Sequence, residues 1–97
     1  MLTDKLEHEL ELLERNLVVL KAVIKEEPIG ILKLAEKTSL PKHKVRYSLR
    51  LLEHEGLVEP SLHGAITTNN MSKFKAEFGP NMKALLQRLN KISQSLS

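Results

Sequence analysis

Between residues 39 and 52 the chain carries four cations, Lys42, Lys44, Arg46 and Arg50, together with His43 and Tyr47 and without a single acid. Lysine offers a compact point charge suited to phosphate. Arginine offers a planar fork that can bond two acceptors at once, including O6 and N7 of guanine. Such recognition requires that the backbone behind the charges be held rigidly. Leu40, Val45, Leu49 and Leu52 supply that support, because spacings of five, four and three place them on one stripe of a helix. With the stripe buried, Lys42, His43, Arg46, Tyr47 and Arg50 point outward. A helix anchored on one side and cationic on the other suits the major groove of duplex DNA. The competing reading is a solvated charged face with no ligand, and the flanking segments decide between them.

Those segments build a helix-turn-helix. Gly30 is positioned to cap a short helix over 31–38, whose inward face is Ile31, Leu34 and Ala35. Leu32 lies off that face and calls for cover from the first helix or another subunit. Thr38-Ser39-Leu40 is the turn, and Pro41 suits the first turn of the next helix, where its missing N–H costs nothing. That helix runs to about Glu55 and stops at Gly56, the expected left-handed cap. Leu57-Val58-Glu59 and Ala65-Ile66-Thr67 then read as two short strands, joined by the turn chemistry of Pro60-Ser61-Leu62-His63-Gly64.

Long helices flank this centre. The first, over 3–26, opens with Asp4 and Glu7 in a capping-box-like pair. Its residues Leu6, Leu10, Leu13, Leu17, Leu20 and Ile24 follow a four-three-four-three-four seam, the spacing of a heptad repeat. Val18, Val19 and Val23 widen the stripe only in the second half. Residues 14–26 are therefore expected to pack on the core, and residues 3–13 to project as an arm that seeks a partner. One long core helix in a monomer is the alternative. Pro28 ends this helix. Towards the C-terminus, Thr68 and Asn69 are expected N-caps, Phe74 and Phe78 dock the segment on the core, and Gly79-Pro80 interrupts it so that a final helix opens at Pro80. Met82, Leu85, Leu89, Ile92 and Leu96 form a second heptad seam flanked by Lys83, Arg88 and Lys91, and residues 94–97 are expected to fray. The seams nominate Leu6, Leu10, Leu13, Leu85, Leu89, Ile92 and Leu96 for dimerisation.

Composition sets bounds on these readings. Ninety-seven residues with 41% hydrophobic and 3% aromatic side chains allow one domain with a small core of Leu, Ile and Val, to which self-association would add. With no cysteine there is neither a disulfide framework nor a thiolate metal site. His8, His43, His54 and His63 share no ligand spacing, so no metal is expected. Glycine-rich phosphate loops and nucleophile elbows are lacking, and the acids of the first helix read as its solvated face, so neither catalysis nor a cofactor is expected. No apolar stretch approaches the ~20 residues of a membrane span, and the acidic, amphipathic start is unlike a signal or transit peptide. The expected location is the cytoplasm. The net charge of +3 is uneven: residues 1–27 carry four cations and seven acids, residues 28–60 six and four, residues 61–97 five and one. Nucleic acid can thus meet one surface while the acidic first helix faces elsewhere.

The order of helix, helix, turn, basic helix, Gly-Leu-Val, hairpin and long helix resembles the winged helix-turn-helix transcriptional regulators of bacteria and archaea, in particular small archaeal ones with dimerising flanking helices. The likeness is carried by Leu34-Ala35-Glu36-Lys37-Thr38, by Val45 through Leu52, and by Glu53-His54-Glu55-Gly56-Leu57-Val58. It covers roughly residues 14–70. It implies a mainly α fold with a small β-hairpin: a single winged-helix domain over 1–97, with an N-terminal helix (3–26), a helix-turn-helix plus wing (28–68) and a C-terminal dimerisation segment (69–97). It further implies a homodimer that reads double-stranded DNA through Pro41, Lys42, His43, Lys44, Arg46, Tyr47 and Arg50. Arg46 is the leading candidate for a guanine, Lys42 and Lys44 for phosphates, and Tyr47 either meets the DNA backbone or packs on the neighbouring helix. The chain departs from the family at Ser39, where glycine is frequent, so that turn must hold a strained or alternative conformation. It also departs at the wing tip, His63-Gly64, which lacks Arg and Lys and is not expected to reach the minor groove. A winged helix that binds protein rather than DNA within a larger assembly is the competing function.

Overall fold

A computed structural model of the chain describes residues 1–96. Four helices and one hairpin follow in the order α1 (Asp4–Glu26), α2 (Ile31–Thr38), α3 (Lys42–His54), β1 (Val58–Ser61), β2 (Gly64–Thr67) and α4 (Met71–Ser93). The fold is mainly α with a small antiparallel hairpin, as expected. Of the tail over 94–97, Ser97 lies outside the described residues, and α4 ends at Ser93.

The two halves of α1 differ in what they touch. Val19, Leu20 and Val23 are buried, whereas residues 1–11 are exposed along their whole length, so the N-terminal half does project. The expected capping box does not form: Thr3 is the N-cap without a side-chain bond, and the Asp4 carboxylate instead takes the N-terminal ammonium at 2.6 Å. At the other end the Glu27 carboxylate accepts the Thr67 N–H at 2.9 Å and the Thr67 hydroxyl at 3.0 Å, tying α1 to β2.

Leu34 of α2 and Val45, Leu49 and Leu52 of α3 close the core with α1, and Leu40 packs against it. Leu32 remains uncovered on the surface. The turn between α2 and α3 holds Ser39 in the left-handed region (φ 58°, ψ 27°), where a strained or alternative conformation was expected. Thr38 Oγ1 donates to the Leu34 carbonyl at 2.6 Å and closes the end of α2. Pro41 is the N-cap of α3, one position earlier than a first-turn residue, and its carbonyl accepts the N–H groups of Lys44 and Val45. Gly56 ends the segment at φ 74°.

The hairpin is tighter than its sequence suggests. Pro60 and Ser61 pair with Ala65 and Gly64 within the ladder, leaving Leu62-His63 as the turn. Proline is tolerated because Ala65 spends its own N–H and C=O on Ile29, on the opposite side. Pro60 therefore stands at a position where the ladder asks for no N–H on the inner side. The Ile29 bridge brings the backbone after α1 onto the hairpin, and a Cβ on Gly64 (φ 127°) would stand 2.4 Å from the Ile29 carbonyl carbon. Only glycine fits there.

Two expectations for the C-terminal segment are corrected. Thr68 and Asn69 do not cap α4; Asn70 is its N-cap, and the Thr68 hydroxyl and Asn70 Nδ2 both donate to the Gly56 carbonyl, latching the start of α4 to the end of α3. Nor does Gly79-Pro80 break the helix, which runs unbroken from Met71 to Ser93 with Pro80 inside it. Proline removes one backbone bond, to the carbonyl four residues back. Here that carbonyl belongs to Ala76, an exposed residue, where water can satisfy it. Met71 and Phe74 reach the core, Phe78 is half-buried with its ring 5.4 Å from that of Phe74, and the rest of α4 projects. With extents of 54 × 29 × 19 Å, the radius of gyration is 15.6 Å. About 12.5 Å is expected of a compact chain this long.

Candidate nucleic-acid interface

Val45, Ser48, Leu49 and Leu52 are the buried residues of α3 and define its inner face. At 100° per residue the opposite face is centred on His43, Tyr47 and Arg50, with Arg46 beside them. Lys42 and Lys44 lie about 200° apart around the axis, one on each flank of that face. Pro41, Lys42, His43, Lys44, Arg46, Tyr47 and Arg50 are all exposed, so all seven sequence-nominated residues lie along one surface element. Among the described residues, none of the four cations forms an ion pair or a side-chain hydrogen bond, and their charges are uncommitted. Tyr47 stands outward on α3. It is 57% exposed, and its ring meets that of His43 edge-on at 6.5 Å.

One contact that holds this helix to α1 had not been expected from the sequence. Ser48 is fully buried and its Oγ accepts the Arg15 Nε–H at 3.2 Å, joining α1 to α3 across the core. The pattern Val45, Ser48, Leu49, Leu52 at i, i+3, i+4 and i+7 places Ser48 on the inner face, which was the available signal. Its partner, 33 residues away, had no signal.

From the last turn of α3 into the hairpin the surface changes sign. Glu53 and Glu59 line a polar depression beside the hairpin, and the tip presents Leu62 and His63 but no cation. The basic face of α3 is therefore not continued onto the hairpin.

The residues nominated for dimerisation are placed on two arms. Leu6 and Leu10 of α1 and Leu85, Leu89 and Ile92 of α4 are exposed, Leu13 is half-buried, and Leu96 lies past the end of α4. Where the arms leave the core they border a groove of about 510 Å³ lined by Leu13, Leu17, Leu20, Leu52, Phe74 and Phe78. Asn16 also lines it, and its Oδ1 is buried without a hydrogen-bond partner. No local pattern in the sequence marks this groove, because it forms where α1, α3 and α4 meet.

No protein-family model matches the chain, and no curated protein matches it. Solved structures do. The activation domain of the phage T4 transcription factor MotA is similar with a TM-score of 0.57 and 22% identity, over 84% of this chain and 82% of that one. A Listeria innocua protein of unknown function is similar with a TM-score of 0.59 and 18% identity, over 76% of this chain. This chain spans 55% of the Listeria chain's length. At these identities the likeness is one of fold.

Proposed function

We propose that the protein is a winged-helix transcriptional regulator that binds double-stranded DNA as a homodimer, with α3 in the major groove. The observation that carries this reading is the face of α3: four uncommitted cations on a helix whose other side is anchored by Val45, Leu49 and Leu52. Arg46 and Arg50 are placed to reach base edges, while Lys42 and Lys44 flank them as phosphates flank a groove. The protein acts by binding, in the cytoplasm, without catalysis or a cofactor. Likeness in fold to a domain named as part of a transcription factor supports a transcription-related role. Titration of random duplex DNA at two salt concentrations tests the reading, since phosphate neutralisation releases counterions and affinity must fall steeply with salt.

A second reading has its own observation. The apolar groove and the exposed seams of α1 and α4 suit a protein partner, so a protein-binding module without DNA readout is the alternative. Salt-insensitive or absent DNA binding would favour it.

A further inference from the structure

The two arms are chemically complementary. Along α1, Leu6, Leu10 and Leu13 follow a four-three spacing, and along α4, Leu85, Leu89 and Ile92 follow the same spacing. The first 27 residues carry seven acids against four cations, and residues 61–97 carry five cations against one acid. Within one chain α1 runs towards the core and α4 runs away from it, with the groove between them. Two copies meeting arm to arm across a two-fold axis therefore bring α1 of one alongside α4 of the other in parallel. The surface area calls for such cover. The chain exposes 7525 Å². A compact monomer of its 11.0 kDa would expose about 5,600 Å², an excess of about 1,900 Å², more than the ~800 Å² each partner buries in a standard interface.

We propose that the apolar faces of α1 and α4 are occupied by a second copy of this chain, α1 pairing in parallel with the partner's α4 in the register Leu6–Leu85, Leu10–Leu89 and Leu13–Ile92. The pairing rests on the homodimer proposed above and specifies its contacts. In this register Leu10 and Leu89 take one type of heptad core position and the other four the second type. Arg88 and Glu14, both exposed, then take the flanking positions from which parallel coiled coils form interhelical ion pairs. The end of the partner's α4 closes over the groove in which Asn16 Oδ1 lacks a hydrogen bond. Pairing unlike arms sets acidic helix against basic helix, whereas pairing α1 with α1 or α4 with α4 sets like charges together.

The chain's lack of cysteine allows a clean test. Leu10→Cys and Leu89→Cys are prepared as separate full-length chains, mixed and oxidised; a disulfide between the two variants is intermolecular by construction. The expected result is that the mixed disulfide exceeds either self-disulfide. Dominant self-linking of Leu89→Cys, dominant self-linking of Leu10→Cys, or no cross-linking overturns the pairing. Charge reversal at exposed positions gives an independent readout that spares the core. Glu14→Arg should weaken dimerisation by roughly tenfold, about threefold for each of two exposed pairs, and Arg88→Glu in the same chain should restore it. Loss without restoration overturns the register. Binding to duplex DNA is measured alongside. DNA binding with self-linked α4 would refute the pairing and leave the regulator reading standing. Mixed disulfides without DNA binding would do the reverse.

Discussion

Removal of Lys44 offers a quantitative test of how α3 meets DNA. Lys42 and Lys44 sit on opposite flanks of the exposed face, and neither is engaged by another side chain among the described residues. If each neutralises one phosphate in both copies of a dimer, four phosphates lose their counterions and log K falls with log salt at a slope of about −3.6. Between 50 and 200 mM salt that slope amounts to a loss of roughly 150-fold. Lys44→Ala removes two of the four contacts, lowers the slope by about 1.8 and reduces the corresponding part of the loss to about 12-fold. Further phosphate contacts would steepen both slopes equally and leave the difference intact. Fluorescence anisotropy with a labelled duplex, repeated at several salt concentrations, measures it. The effect should be the same for every sequence. An unchanged slope, or a loss confined to one sequence, would refute the placement of Lys44 against the backbone.

Two further outcomes follow from the geometry. Arg46→Ala should cost about 1–3 kcal/mol of binding and relax preference at one base position, whereas His63→Ala should change affinity little; competition binding with single-position variants of a selected site compares them, and a larger effect at His63 would contradict the assignment. Gly64→Ala should destabilise the fold by about 2–3 kcal/mol, because Cβ would meet the Ile29 carbonyl in a backbone region that side chains avoid; thermal unfolding should show a midpoint about 10–15 °C lower, and an unchanged midpoint would refute the close approach.

Local patterns were legible in the sequence. The stripe of Val45, Leu49 and Leu52 gave the inner face of α3, Gly56 gave its end, and Ser39 in a turn that favours glycine pointed to an unusual backbone there, which the structure shows to be left-handed. The widening of the α1 stripe by Val19 and Val23 separated its buried half from the arm. What escaped depends on partners distant in the chain. Gly64 reads as ordinary turn chemistry until Ile29, 35 residues earlier, is found against it. Ser48 looks polar and expendable until Arg15 reaches it through the core. Thr68 and Asn69 have the right chemistry for caps, but the cap position falls to Asn70, and Thr68 and Asn70 both bond the Gly56 carbonyl. Pro80 misled for a different reason: proline disfavours a helix interior, yet α4 runs through it, and the carbonyl left without a partner belongs to an exposed residue that water can reach. The seven residues nominated for DNA needed only the period of one helix, so their placement on one surface was accessible from sequence alone.

Selection of bound sites from a random duplex pool tests most directly whether this is a dimeric reader of DNA. A two-fold dimer presents two copies of α3, and both enter major grooves on one face of the duplex when half-sites lie about one helical turn, ~10 bp, or a multiple of it apart. The pool should enrich inverted repeats at that spacing. Enrichment of a single unrepeated site would contradict the dimeric mode, and no enrichment above background would contradict sequence-specific DNA binding itself.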